Sequence, residues 1–257
     1  MNLADKTVIV TGGSRGIGQQ LALRLGGEKA NVVVNYKSNE DAARETADEV
    51  IARGGKAIAV QADVANPDAV QSLVQAAVDR FGIIDVVVAN AAASAFKPLS
   101  AIHPHHVEKT MGLTVVGFLE LVRCATPHMK PGGRILAISG WDSFRVLPGH
   151  GLLGAAKAAL ETMIKYLAYE LASQGITTVG LCPGPIDTDS FRIYAGDAWD
   201  DYEKNWLGYT PAGRFPTPAE FAEIMAFLCA PESAPINGQT IVADGGLSLS
   251  TMPIGFQ

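Results

Sequence analysis

The strongest constraint on this chain is its alternation of short, nearly all-apolar runs with longer amphipathic ones. KTVIVTG (6–12), NVVVNY (31–36), KAIAVQADV (56–64), IIDVVVANAA (83–92), GRILAISG (133–140), ITTVGLCPG (176–184) and QTIVADGG (239–246) read as strands. Between them lie helical stretches: GIGQQLALRLGGE (16–28), NEDAARETADEVIARGG (39–55), PDAVQSLVQAAVDRFG (67–82), a long one over HHVEKTMGLTVVGFLELVRCATPHM (105–129), and one around Lys157. Strands without polar alternation are buried on both faces. Strand–helix–strand order with right-handed crossovers then gives a parallel sheet between two helical layers.

The expectation is an α/β protein with a Rossmann-type doubly wound parallel sheet of about seven strands and helices on both faces. The 257 residues contain no linker composition or repeat, so 1–257 reads as a single domain. The net charge of −6 leaves no basic stripe for nucleic acid. Cys124, Cys182 and Cys229 are widely spaced and match neither a disulfide framework nor a metal site. His103, His105 and His106 cluster around a proline, a spacing that gives no fixed ligand face, so no metal is expected. No uncharged apolar run reaches the roughly 18 residues of a membrane span. The expected setting is cytoplasmic, with no membrane association. The long irregular segment at 187–215 follows a strand end, where such sheets bind ligand, and reads as a substrate lid bearing Trp199, Tyr202 and Trp206.

TGGSRGIG (11–18) lies between a strand and a helix. Gly12, Gly16 and Gly18 permit a tight turn and let backbone N–H groups approach a diphosphate at the positive helix end, with Ser14, Arg15 and Ile17 in the same turn. At the end of the second strand, Tyr36, Lys37 and Ser38 stand where an acid would bind an NAD ribose. Together with Arg15 they suit a 2′-phosphate, so NADPH is favoured over NADH.

TGGSRGIG resembles the glycine fingerprint of the short-chain dehydrogenase/reductases, as do AD (62–63), NAAA (90–93), PGPIDTD (183–189), PAGR (211–214) and GQTIVADGG (238–246) in family order. GRILAISGWDSFRVLPGHGLLGAAKAALE is most similar to the FabL-type enoyl-acyl-carrier-protein reductases. The resemblance implies a homotetramer. It also implies that Asp63 and Val64 hold the adenine, that Asn90, Ala91 and Ala92 lie beside the riboses, and that Pro183, Gly184, Ile186 and Thr188 hold the nicotinamide amide. Lys157 would bond the nicotinamide ribose, although spacing alone leaves it at the edge of the stripe Leu152, Ala156, Leu160, Met163, Leu167, as a surface lysine would be.

The family's usual Asn-Ser-Tyr-Lys set is broken here. Thr114 stands at the Asn place, Gly140 at the Ser place and Leu153 at the Tyr place, and only Lys157 remains. FabL-type enzymes put their Tyr seven residues before the Lys, where this chain has His150. Two helical turns less about 20° would project 150 and 157 to one side. A histidine can polarise or protonate a thioester enolate near neutral pH, or it can be an inert loop residue. Trp141, Asp142 and Ser143 are further candidates for substrate contact. Three functions follow: hydride delivery to an activated C=C bond of a small or acyl-carrier- or CoA-linked substrate, ketone reduction with an unusual proton donor, or NADP binding without catalysis.

Overall fold

The computed structural model describes residues 1–188, 191–192 and 199–250, with the side chains of Trp199, Asp200 and Tyr202 outside that description. The strands are β1 (Thr7–Val10), β2 (Asn31–Tyr36), β3 (Lys56–Gln61), β4 (Ile84–Ala89), β5 (Met129–Ile138), β6 (Thr177–Pro183) and β7 (Thr240–Ala243). All pair in parallel, in the order β3-β2-β1-β4-β5-β6-β7. The chain is a single-domain, doubly wound α/β protein.

Alternation along each strand assigns residues to the two faces. Val8, Val10, Val32 and Val34 pack with Leu21 and Leu25 of α1 (Gly16–Gly27), Val50 of α2 (Glu40–Ala52) and, further along the chain, Phe221 and Met225 of a helix at Pro218–Cys229. Ile9, Val33 and Val87 face the other way, onto Leu73 and Val74 of α3 (Pro67–Phe81) and Leu121 of a helix at Gly117–Ala125. Every residue of β1 and β2 is buried, which is why their sequences show no polar face.

The expected long helix 105–129 is instead divided. It comprises α4 (Pro104–Met111), a π turn (Gly112–Val116), α5 (Gly117–Ala125) and a 3₁₀ turn (Thr126–His128), after which β5 begins at Met129 rather than 133. The division lies where the helix meets the chain after β3. A Cβ on Gly117 would overlap the carbonyl oxygen of Val64, so the glycine permits the close approach. Further helices among the described residues are α6 (Gly151–Glu170), α7 (Trp199–Tyr209) and α8 (Pro218–Cys229). Among the described residues no helix is long and apolar enough to cross a membrane.

Strand order reverses between β1 and β4. The crossovers leaving these strands diverge to opposite faces and open a crevice at their carboxyl ends. The turn 11–18 follows β1 and NAAA follows β4, so both motifs lie at that opening.

Candidate active site

The glycine turn is built by backbone conformation and by three polar side chains. Gly12 (φ 63°) and Gly16 (φ 57°) are left-handed, and a Cβ on Gly18 would strike the Gly12 carbonyl and the Asn90 amide. Nothing lies within 4 Å of a Cβ placed on Gly16, and no side chain caps the first turn of α1, where Arg15 is exposed and Ser14 and Ile17 are half-buried. The Thr11 hydroxyl donates to the Val88 carbonyl (3.1 Å) and accepts from the N–H groups of Asn90 (2.9 Å) and Ala91 (3.1 Å). The Asn90 amide returns two bonds, to the Thr11 and Gly12 carbonyls. Asn35 accepts from Gly12 N–H (3.3 Å) and donates to the Ala62 carbonyl (3.0 Å). Sequence reasoning missed Thr11 and Asn35; the signal was a polar residue inside an otherwise apolar strand. Ala91 is half-buried beside Asn90, and Ala92 is exposed.

At the far end of the crevice Tyr36 is buried, while Lys37 and Ser38 are exposed. Lys37 Nζ lies 2.6 Å from Asp63 Oδ2, and the N–H of Ala65 donates to Asp63 Oδ1 (3.1 Å). The Lys37 bond, ahead of that backbone bond, holds the Asp63 carboxyl below the usual carboxylate range. The residue assigned to a phosphate and the one assigned to the adenine are thus paired with each other. Val64 is buried beside them. On the other lip, Gly184 packs where a Cβ would collide with Asp244, Ile186 is buried, and the Thr188 hydroxyl accepts from Phe191 N–H (3.2 Å). Pro183 ends β6.

Lys157 is not a surface lysine at a stripe edge. It is 5 % exposed, and the buried face of α6 runs through Leu152, Ala156, Lys157, Leu160, Ile164 and Ala168, leaving Met163 and Leu167 only half-buried. Its ammonium donates to the Ile138 carbonyl at the end of β5 (2.6 Å). Burial lowers its pKa to about 8, against the opposing pull of Asp142, Cys182 and Glu161. Thr114 sits in the π turn, 4 % exposed, and among the described residues its hydroxyl makes no hydrogen bond. A cavity of about 20 Å³ between Thr11, Thr114 and Lys157 has room for a single water molecule.

His150 is the N-cap residue of α6, which starts at Gly151. The two-turn helical projection therefore does not apply to it, because Gly149 (φ 79°) has already turned the chain out of the helix. Its Nδ1 lies 3.2 Å from Asp142 Oδ2, and its ring tilts against Phe96 at 4.6 Å. Phe96 is exposed, as are Leu99, Phe144 and Val146, apolar residues that sequence reasoning did not single out. The other substrate candidates turn inward. Trp141 donates to Asp244 (3.1 Å) and packs edge-on against Trp206 in a cluster with Cys182, Phe215 and Leu247, and Ser143 donates to Glu161 (2.7 Å). The side chains of Trp199 and Tyr202, and residues 189–190 and 193–198 of the expected lid, lie outside the described residues. His103 caps α4, its N–H donating to His106 Nδ1 (3.0 Å). Among the described residues no group of three His, Cys, Asp or Glu side chains is arranged to hold a metal ion.

Residues 12–248 match the family model described as enoyl-(acyl carrier protein) reductase. The chain belongs to the short-chain dehydrogenase/reductases. The reductase is 40 % identical to 1-cyclohexenylcarbonyl-CoA reductase of Streptomyces collinus, over 95 % of this chain and 88 % of that protein. It is 34 % identical to versicolorin reductase of Emericella nidulans, over 95 % of this chain and 96 % of that one. A crystal structure of a short-chain dehydrogenase from Burkholderia cenocepacia in complex with NADP superposes with a TM-score of 0.89 at 32 % identity, covering 96 % of this chain and all of that one. The first two relatives are named reductases, and this chain is an oxidoreductase of the same family.

The crevice fits a nicotinamide dinucleotide on its own geometry. The turn leaves open space at Gly16 before the uncapped first turn of α1 at the sheet's switch point, and the Lys157 ammonium lies at the end of β5. Leu153 stands four residues before Lys157.

Proposed function

We propose that the reductase uses NADPH to reduce the C=C bond of an enoyl thioester or related enone. Gly12, Ser14, Arg15, Gly16, Ile17 and Gly18 hold the diphosphate, and Tyr36, Lys37 and Ser38 with Arg15 receive the 2′-phosphate. Asp63 and Val64 take the adenine. Asn90, Ala91, Ala92 and Lys157 lie along the riboses, and Pro183, Gly184, Ile186 and Thr188 hold the carboxamide. When bound, the cofactor supplies a hydride to the β-carbon of the substrate.

Leucine at 153 cannot donate a proton at any pH, and the absence of that donor carries the choice of reaction. Conjugate reduction pushes electrons onto the thioester oxygen as an enolate, which is a weaker base than the alkoxide left by direct carbonyl reduction. A weaker acid arrangement therefore suffices. The His150 ring gives a proton to that oxygen, and the enol thioester so formed takes a proton on its α-carbon from water while the proton on oxygen returns to His150. The Lys157 ammonium, fixed on Ile138, adds positive charge beside the site, and Thr114 borders the small cavity next to it. The Streptomyces relative, named for an enoyl-type CoA ester, supports this reading. The exposed apolar side chains of Phe96, which lies against the His150 ring, and of Leu99, Phe144 and Val146 suit an acyl or ring substrate. The enzyme works in the cytoplasm as a homotetramer.

The test is NADPH oxidation with 1-cyclohexenylcarbonyl-CoA and linear 2-enoyl-CoA esters against a panel of aromatic ketones, with products identified by mass spectrometry. Saturated thioesters are expected. Turnover of ketones alone favours the second reading, a ketoreductase of polyketide-like substrates, which the versicolorin reductase relative supports. Full activity in both His150→Ala and Lys157→Ala overturns the site assignment.

A further inference from the structure

Two glycines near the site are explained by neither backbone conformation nor the cofactor. Gly140 is extended (φ −153°, ψ 147°), and Gly154 lies inside α6, so any residue could adopt either backbone. A side chain at either would meet the same neighbour. A Cβ on Gly140 would overlap Asp142 Oδ1, and a Cβ on Gly154 would overlap the Asp142 carbonyl oxygen. Asp142 is therefore seated in a slot cleared on two sides. Its side chain is 5 % exposed, and one carboxylate oxygen reaches Nδ1 of His150, whose side chain is 15 % exposed. The turn carrying Asp142 is held from both ends. Ser139 and Ser143 both donate to Glu161 of α6, and Trp141 is bonded to Asp244. The charged groups around the pair are Lys157, whose ammonium is attracted to Asp142, and Glu161, which the two serines occupy.

A buried carboxylate on one ring nitrogen of a histidine fixes that nitrogen as the protonated one and fixes the ring plane. The other nitrogen, Nε2, which is buried from solvent, is then held in a set direction. We propose that Asp142 is the positioning residue for His150, locking its ring with Nδ1–H on the carboxylate so that Nε2 exchanges the proton with substrate. Gly140 and Gly154 are the space this arrangement requires. The inference rests on the reading of His150 as proton donor.

Two measurements on the intact enzyme separate its failure from failure of that reading. The first is ¹⁵N NMR of the histidine ring nitrogens without substrate, with His150 assigned by its loss in His150→Gln. The wild-type neutral ring should carry its proton on Nδ1, and Asp142→Ala should move it toward the Nε2–H form. The second is kinetics. Asp142→Ala should lower kcat by on the order of 10²-fold with the KM for NADPH within about twofold, and should add nothing in a His150→Ala background. Gly140→Ser, which puts back the family's side chain, should impair kcat in the same way because it displaces the carboxylate; it also serves if Asp142→Ala does not fold. An unchanged tautomer in Asp142→Ala overturns the proposal directly. Equal losses from Asp142→Ala with and without His150 also overturn it, since Asp142 would then act by another route. A changed tautomer beside wild-type turnover in His150→Ala overturns the reading of His150, and the dyad's role with it, while leaving the contact intact.

Discussion

Lys157 is a buried cation whose main partner is a single backbone carbonyl, so it weakens the fold that it serves. Its folded pKa of about 8 lies below the 10.5 of an exposed lysine. Below pH 8 both folded and unfolded chains carry the proton, and the folded one bears the desolvation penalty. Between pH 8 and 10.5 the folded lysine releases its proton first, so stability rises with pH. The difference corresponds to roughly 3 kcal/mol. The cofactor-free Lys157→Met protein should therefore melt higher than wild type at pH 7, with the gap closing by pH 10 in calorimetric scans, while losing activity. Lys37 gives a second expectation. On the proposed reading, it exchanges its bond to Asp63 for one to the 2′-phosphate of the cofactor. Fluorescence titration of Lys37→Ala should show NADPH binding weakened by roughly 10-fold and NADH binding nearly unchanged. Lys157 was legible as a position because the motif order registers it. Its burial was not, because spacing does not say which sector of a helix turns under a strand end. The Asp142–His150 contact was invisible for a similar reason: it depends on space left at 140 and 154, and a glycine does not announce which neighbour needs its room.

At the scale of elements, strands and most helices were readable because parallel strands buried on both faces leave unbroken apolar runs. The divided helix at 104–125 was not. The apolar period continues through LTVVG, and Gly112 and Gly117 are tolerable in a helix, so the sequence carries no stop signal there. The π turn follows from crowding against Val64, which only the folded chain contains. Gly117→Ala should accordingly be destabilising, by about 1–3 kcal/mol, unlike most glycine-to-alanine changes in helices. A lower urea midpoint at constant m-value would show it, and an unchanged midpoint would mean that α5 can shift away without penalty.

For the whole molecule, strand order placed the crevice. Once β1 and β4 are neighbours with their crossovers diverging, the glycine turn and the NAAA segment have to meet. Association was expected from resemblance alone, and the surface adds a physical motive: Tyr166 and Tyr169 on α6, and Val116 and Leu119 at α5, are exposed. Sedimentation should give a species of about four times the 27.0 kDa chain. Leu119→Asp should shift it to smaller species, and a monomeric wild type would remove the tetramer from the account.

Thr11 and Asn90 sew the loops after β1 and β4 together with four hydrogen bonds, and a fifth ties the Thr11 hydroxyl to Val88 of β4. The gap between those loops is thus set before any nucleotide arrives. Binding then has little chain entropy to lose there, and its heat and its affinity report contact rather than ordering. Thr11→Val would loosen that seam, and calorimetry should register the change as a larger entropic penalty on nucleotide binding.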